Sequence, residues 1–182
     1  VERQQQQERI MSDADHAMSV STAIRRKRAV RRYRNEALPN EVESTILQAG
    51  RRAQSSKNTQ PWTFVVVREP AQLAALAQAG TYAAHMPIAA MTVVLVAAQG
   101  TDFDLGQAAA YMQLAATELG VGSCVTTLHN QELAREVLGV PAELQCRWSI
   151  TFGYPADDDR PAKMGGRRPI EEIVRHERYS DG

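Results

Sequence analysis

Two stretches of the chain hold side chains able to do chemistry. The first is Arg25-Arg26-Lys27-Arg28-Ala29-Val30-Arg31-Arg32-Tyr33-Arg34, in which seven of ten residues are basic. Guanidinium forks bind phosphate oxygens through charge-assisted hydrogen bonds, each contributing roughly 1.5–3 kcal/mol. A solvated basic face and a nucleic-acid patch would have the same composition, although the latter asks for wider basic surface and exposed aromatics. The second stretch is Ser55-Ser56-Lys57-Asn58-Thr59-Gln60-Pro61-Trp62. Its short polar side chains bond well to backbone or ligand and bury little apolar area. It reads either as a loop over a polar ligand, held by a rigid strand behind it, or as a plain helix-to-strand turn.

Other chemistries find little support. No Ser-His-Asp order, paired carboxylate motif or metal ligand set stands out, so no metal is expected. Cys124 and Cys146 are too few and too far apart for a zinc site or a disulfide framework. Both fall in apolar strand readings and are expected as buried free thiols. His85, in Tyr82-Ala83-Ala84-His85-Met86-Pro87, reads as polar surface or as a proton donor near a substrate. A formal net charge of zero gives no bulk field toward nucleic acid or membrane. No run of 18 apolar residues exists to span a bilayer. A cytoplasmic setting is expected. The 182 residues suffice for one domain with a proper core. Residues 1–20, with their glutamine run Gln4 to Gln7, read as a flexible tail ahead of a domain at 21–182.

These stretches must be positioned by the elements around them. Ser21 is a candidate cap for a short helix carrying Ile24. Leu38-Pro39 starts a helix with Val42, Ile46, Ala49 and Ala53 on one face. Trp62 to Arg68 reads as a buried strand, and Pro70 to Ala79 as a helix with Leu73, Leu76 and Ala77 inward. Thr92 to Ala98 is all apolar, so it should lie centrally and be covered on both faces. Asp102 or Asp104 caps a helix from Leu105 to Leu119, whose glycine and alanines make a small-residue surface open to close approach. Gly120 to Cys124 is a tight turn into the next strand. Asn130 caps a helix closed by Gly139, and Gln145 to Gly153 is the last strand. The alternation of helix and strand gives an α/β-type layered domain.

Four motifs together carry a resemblance to a known family. They are the loop Ser55–Trp62 running into Thr63-Phe64-Val65-Val66-Val67, the basic run ending in Tyr33, the helix Asp104-Leu105-Gly106 to Leu114-Ala115-Ala116, and Gly153-Tyr154-Pro155 followed by Arg167-Arg168-Pro169-Ile170-Glu171-Glu172. From about Ser21 to Tyr179 the chain resembles the FMN-dependent nitroreductases. Lys27 stands where that family usually has Arg, Ala29 where it has Ser, and Gln54 where it has Pro. The resemblance implies an α+β fold, with a central, mainly antiparallel sheet flanked by helices, in an intertwined homodimer with C-terminal exchange. It implies FMN at the subunit interface and NAD(P)H as co-substrate. It assigns Lys27, Arg28, Ala29 and Arg31 to the FMN phosphate and ribityl chain. Ser55, Ser56 and Asn58 would reach the flavin from the other subunit. Backbone near Thr126 and Thr127 would meet the ring edge. One of Arg167 and Arg168 would supply further positive charge, with Lys163 an outside candidate. The implied reaction moves a hydride from NAD(P)H to a small-molecule acceptor, a nitroaromatic, quinone or related electrophile. No nucleic-acid or membrane partner is implied. Relatives that dehalogenate, desaturate or fragment flavin, and a non-catalytic flavin-binding module, are the alternatives. Such a cofactor carries the chemistry itself, which suits a chain with no evident acid–base pair.

Overall fold

The computed structural model describes residues 18–161 and 166–179. Most of the expected tail, and Lys163, lie outside the described residues. Runs of β-branched and apolar residues form four strands: β1 (Thr63–Val67), β2 (Met91–Ala97), β3 (Gly122–Thr127) and β4 (Gln145–Gly153). They form one sheet in the order β1-β2-β4-β3. Every pairing is antiparallel, with Val94 opposite Val65 on one side and Ser149 on the other. Alternation of elements alone suggested an α/β layering; the antiparallel sheet makes the fold α+β, as the motif resemblance implied. β2 is buried along its whole length, which its uninterrupted apolar sequence requires.

Among the described residues, five helices pack around the sheet: α1 (Val20–Arg26), α2 (Asn40–Arg51), α3 (Pro70–Ala77), α4 (Asp102–Glu118) and α5 (Gln131–Leu138). Successive side chains of β2 point to opposite faces. Met91, Val93 and Leu95 enter a core with Ile46 of α2 and Leu105 and Met112 of α4. Val94 and Val96 enter a second core with Leu73 and Leu76 of α3 and Ala134 of α5. The result is three layers with the sheet in the middle. Cys124 and Cys146 are buried free thiols, as expected. Among the described residues, no helix is long and apolar enough to cross a membrane.

Helix starts differ from the sequence reading at two places. Ser19, not Ser21, caps α1, and its hydroxyl accepts from Thr22 N. Thr101 precedes α4, which places Asp102 and Asp104 in its first turn, where a carboxylate meets the positive helix end. Asp102 also accepts from Trp148 Nε1 at 2.6 Å, tying the start of α4 to β4. Asn130 caps α5 as expected, and Gly139 ends it in the left-handed region.

The basic run is held against the sheet. After α1 the chain runs extended across the outer edge of β3. Val30 N donates to Ser123 O at 2.9 Å, Arg34 N to Tyr154 O at 2.9 Å, and Ala156 N to Arg32 O at 2.9 Å. The buried Tyr33 hydroxyl donates to Val30 O at 2.6 Å and lies 2.8 Å from Thr151 Oγ1. Burial drives this phenol well above its ordinary range. Tyr33 thus pins the run from beneath. Tyr33→Phe leaves the Val30 carbonyl without this donor, and we expect it to cost about 1–2 kcal/mol in a urea melt.

Candidate functional site

Of the seven cations in the basic run, Arg25 and Arg26 close α1, where Arg25 donates to Thr22 Oγ1 at 2.9 Å, and the other five divide into two sets. In an extended segment, alternate side chains go to opposite sides. Arg28 pairs with the buried Asp159 carboxylate, and Arg32 with Asp158. Arg34 reaches Glu36 at 3.5 Å and covers the Tyr154 ring. Lys27 and Arg31 have no carboxylate partner among the described residues; both turn toward β3 at Cys124. Burial pushes the Cys124 thiol upward, and Arg31 and Lys27 oppose that shift, Arg31 also by hydrogen bonding.

Arg31 opens onto a hollow of about 310 Å³, lined also by Tyr82, His85, Val125, Thr126, Thr127 and His129. Among the described residues, no carboxylate lines it. Its groups are a guanidinium, two imidazoles, two threonine hydroxyls and the phenol of Tyr82, a set that suits an anionic or strongly accepting ligand. His85 is buried rather than on the surface, because the loop before the 3-10 turn Met86–Ile88 folds beneath β3. Its Nε2 lies 3.0 Å from Thr126 Oγ1. Burial holds this imidazole below its ordinary value of 6.5, Arg31 adds to that, and a backbone hydrogen bond with Tyr82 opposes it. His129 Nδ1 accepts from Thr81 N at 3.3 Å, which fixes the far wall.

A larger hollow of about 340 Å³ lies on the other side of the run, at Arg26, Arg28, Gly120 and Gly122. Arg28 is already engaged there by Asp159, and Glu118 lines the same hollow beside Arg26. A third, apolar groove of about 280 Å³ runs between α4 and β4 along Gly106, Ala109, Ala110, Trp148 and Ile150.

The polar loop is a 3-10 turn, Ser56–Asn58, closed by Ser55 Oγ accepting from Gln60 N at 2.9 Å. Lys57, Asn58 and Gln60 all have left-handed backbone, with φ of 51°, 55° and 48°. For residues with a β-carbon this costs on the order of 1–2 kcal/mol each. Such strain persists only where other constraints fix the loop, and it tends to gather at ligand clamps. Ser56 and Asn58 are exposed, and none of Ser55, Ser56 and Asn58 lines the Arg31 hollow of its own chain.

Of the residues singled out by sequence, Arg31, Thr126 and Thr127 come together, with Lys27 beside them at Cys124. Ala29 lies against Ser123 and joins the run to the edge strand. Arg28 faces Asp159. Arg167 is exposed, and Arg168 donates to the Glu172 carboxylate at 3.1 Å and to its carbonyl at 2.9 Å. Sequence reasoning did not place Tyr82, His129 or Cys124 at this site. They reach it through contacts between segments about 40 residues or more apart, which no local pattern announces.

Relatives of known name share this architecture. A model of the nitroreductase family matches residues 24–86 and 82–154. The chain is 29% identical over 198 aligned positions to an NADH dehydrogenase of Thermus thermophilus, covering 86% of this chain and 95% of that one. It is 30% identical over 144 positions to a protein of Archaeoglobus fulgidus described as an NADH dehydrogenase/NAD(P)H nitroreductase, covering 72% and 83%. Among solved structures, an FMN-dependent nitroreductase of Clostridium difficile superposes with a TM-score of 0.75 at 26% identity, covering 86% of this chain and 98% of that one. A match to the family model over more than half of its length, on the fold described above, shows that this chain belongs to the nitroreductase family.

Proposed function

We propose that the protein is an FMN-dependent oxidoreductase that moves a hydride from NAD(P)H through FMN to nitroaromatic, quinone or similar conjugated electrophiles. The observation that carries this reading is the Lys27–Arg31 pair. In a run where Arg28, Arg32 and Arg34 are engaged by acids, these two have no carboxylate partner among the described residues; Arg31 lines a hollow of hydrogen-bond donors, and Lys27 acts with it on Cys124. The donor set fits a phosphorylated flavin. Lys27 and Arg31 would hold its negative charge, and the Ala29 backbone would keep them at the edge of β3. Thr126 and Thr127 would offer hydroxyl and backbone groups to its polar edge. Bound FMN would supply the hydride chemistry, so the protein's task is to bind, orient and leave one face open. Cationic and N–H groups around the hollow would stabilise negative charge that develops there.

The active form in this reading is a homodimer with FMN at the subunit interface. Ser55, Ser56 and Asn58 of a second copy would complete the site, in keeping with a strained loop that misses the hollow of its own chain. Unsatisfied apolar surface supports this. Phe103 is 82% exposed, Val125 42%, and Ile170 and Ile173 of the C-terminal segment 59% and 57%. The small-residue side of α4 would let another helix approach closely. One of Arg167 and Arg168 would then meet the phosphate across the interface. A cytoplasmic setting goes with this activity. The names of the three relatives above support reduction with a nicotinamide donor and FMN.

Steady-state oxidation of NADH and of NADPH by FMN-loaded protein, with and without a nitroaromatic or a quinone, tests the reading. We expect nicotinamide oxidation that rises with acceptor concentration. Flavin-loaded protein that oxidises neither donor with any acceptor would leave a flavin-binding module.

A further inference from the structure

We propose that His85 is a positioning residue for negative charge in the Arg31 hollow, turning the Thr126 hydroxyl and taking up a proton as an anionic ligand enters. This rests on the flavin reading given above. His85 is buried, lines the hollow itself, and its Nε2 lies 3.0 Å from Thr126 Oγ1 on the same wall. The backbone hydrogen bond with Tyr82 favours the charged ring, so a ring N–H serves as its donor. The other nitrogen, Nε2, of a neutral ring is left as an acceptor, and the Thr126 hydroxyl donates to it. When the ring gains a proton, Nε2 becomes a donor, and the Thr126 hydrogen must turn away from it. One proton thus changes both the charge beneath the hollow and the direction in which Thr126 donates.

The surroundings set the direction of the coupling. Arg31 is the cation that faces His85, and it disfavours a second positive charge there. From β3 and the loop after it come Thr126, Cys124 beside Arg31, and His129; Tyr82 closes the near side, and α3 brings no titratable side chain. Among the described residues, no carboxylate lines the hollow to balance a protonated His85. An anion held by Arg31 removes the repulsion and favours the charged ring. By linkage, the anion then binds more tightly as pH falls through the range where His85 titrates. Negative charge reaches the hollow from either of two sources, the phosphate of FMN or the flavin ring once reduced.

The test compares FMN affinity of the unaltered protein and of His85→Gln from about pH 8 to about pH 5.5. The FMN phosphate itself titrates near pH 6 in both proteins, so the ratio of the two affinities isolates His85. We expect that ratio to grow about threefold to tenfold in favour of the unaltered protein as pH falls, a tenfold change being one unit of pKa. Histidine NMR titration of the unaltered protein gives a second readout that needs no variant: His85 should titrate at higher pH with FMN bound than without. Riboflavin lacks the phosphate. If oxidised riboflavin leaves the His85 titration in place and FMN moves it, the anion is the phosphate; if riboflavin moves it after reduction by dithionite, the anion is the ring. Parallel affinity profiles, together with a His85 titration unmoved by any of these ligands, would overturn the proposal while the flavin reading stands. No FMN binding at any pH would overturn both.

Discussion

Replacing Lys27 and Arg31 together by alanine should leave a folded protein that binds FMN about 10²- to 10⁴-fold more weakly. Each removed cation forfeits a charge-assisted bond of roughly 1.5–3 kcal/mol, and tenfold in affinity is about 1.4 kcal/mol. Neither side chain has an acidic partner among the described residues, so the native fold loses little with them. Arg28→Ala should behave in the opposite way. Its partner Asp159 is buried, with 5% of its side chain exposed, against 33% for Arg28. Removing the guanidinium strands that carboxylate. Because Arg28 is a third exposed, the cost should fall below that of a fully buried pair, at about 2–3 kcal/mol. With Asp159 engaging Arg28, FMN affinity should stay within about threefold, and a larger loss would restore Arg28 to the phosphate. Equilibrium unfolding and FMN fluorescence titration of both variants separate these outcomes.

Gly122→Val should damage binding and stability together, without removing any charge. Gly122 opens β3 where the basic run crosses its edge. A β-carbon there would lie 2.7, 2.8 and 2.9 Å from Cγ1, Cβ and Cγ2 of Val30. Val30 cannot swing aside, because it is β-branched, buried and bonded through its own N–H to Ser123 O. The run must move off the strand, carrying Lys27 and Arg31 with it. We expect a loss of about 2–3 kcal/mol in a denaturant melt, with FMN affinity lowered by about tenfold or more. Gly106→Ala is the matching control. It has open space at its β-carbon within its own chain, and as an alanine inside a helix it should raise stability by about 0.5–1 kcal/mol rather than lower it.

Much of the fold was legible because each element carries its own local signal. β2 is apolar from end to end, and only a central strand covered on both faces satisfies that. Asn130 and Gly139 bracket α5 because a side-chain acceptor and a left-handed residue are what helix ends require. Strand direction was less legible. Alternating elements suit parallel crossovers as well as the antiparallel order found here, and only the motif resemblance pointed to the latter. Ser19 won over Ser21 because its hydroxyl lies three residues before the free N–H of Thr22, a two-residue shift that composition does not decide.

The site was legible in residue type and less so in allegiance. The density of cations at 25–34 was plain, yet which of them are neutralised depends on Asp158 and Asp159, more than 120 residues away. His85 carried no periodic signal, and its burial follows from a loop passing under the edge strand. Backbone near Thr126 was expected at the ring edge through the motif resemblance, while the bond from its side chain to His85 across the fold had no local signal. The left-handed backbone at Lys57, Asn58 and Gln60 also escaped notice, since only Asn among them is common there.

The most direct test is the visible spectrum of the purified protein after FMN is added and the excess removed, recorded without oxygen before and after NADPH or NADH. Flavin absorption that stays with the protein and bleaches on adding either nicotinamide is the result expected of an FMN oxidoreductase built on Lys27 and Arg31. Protein that emerges with no flavin absorption would contradict the assignment of the Arg31 hollow, and retained flavin that neither nicotinamide bleaches would contradict the activity.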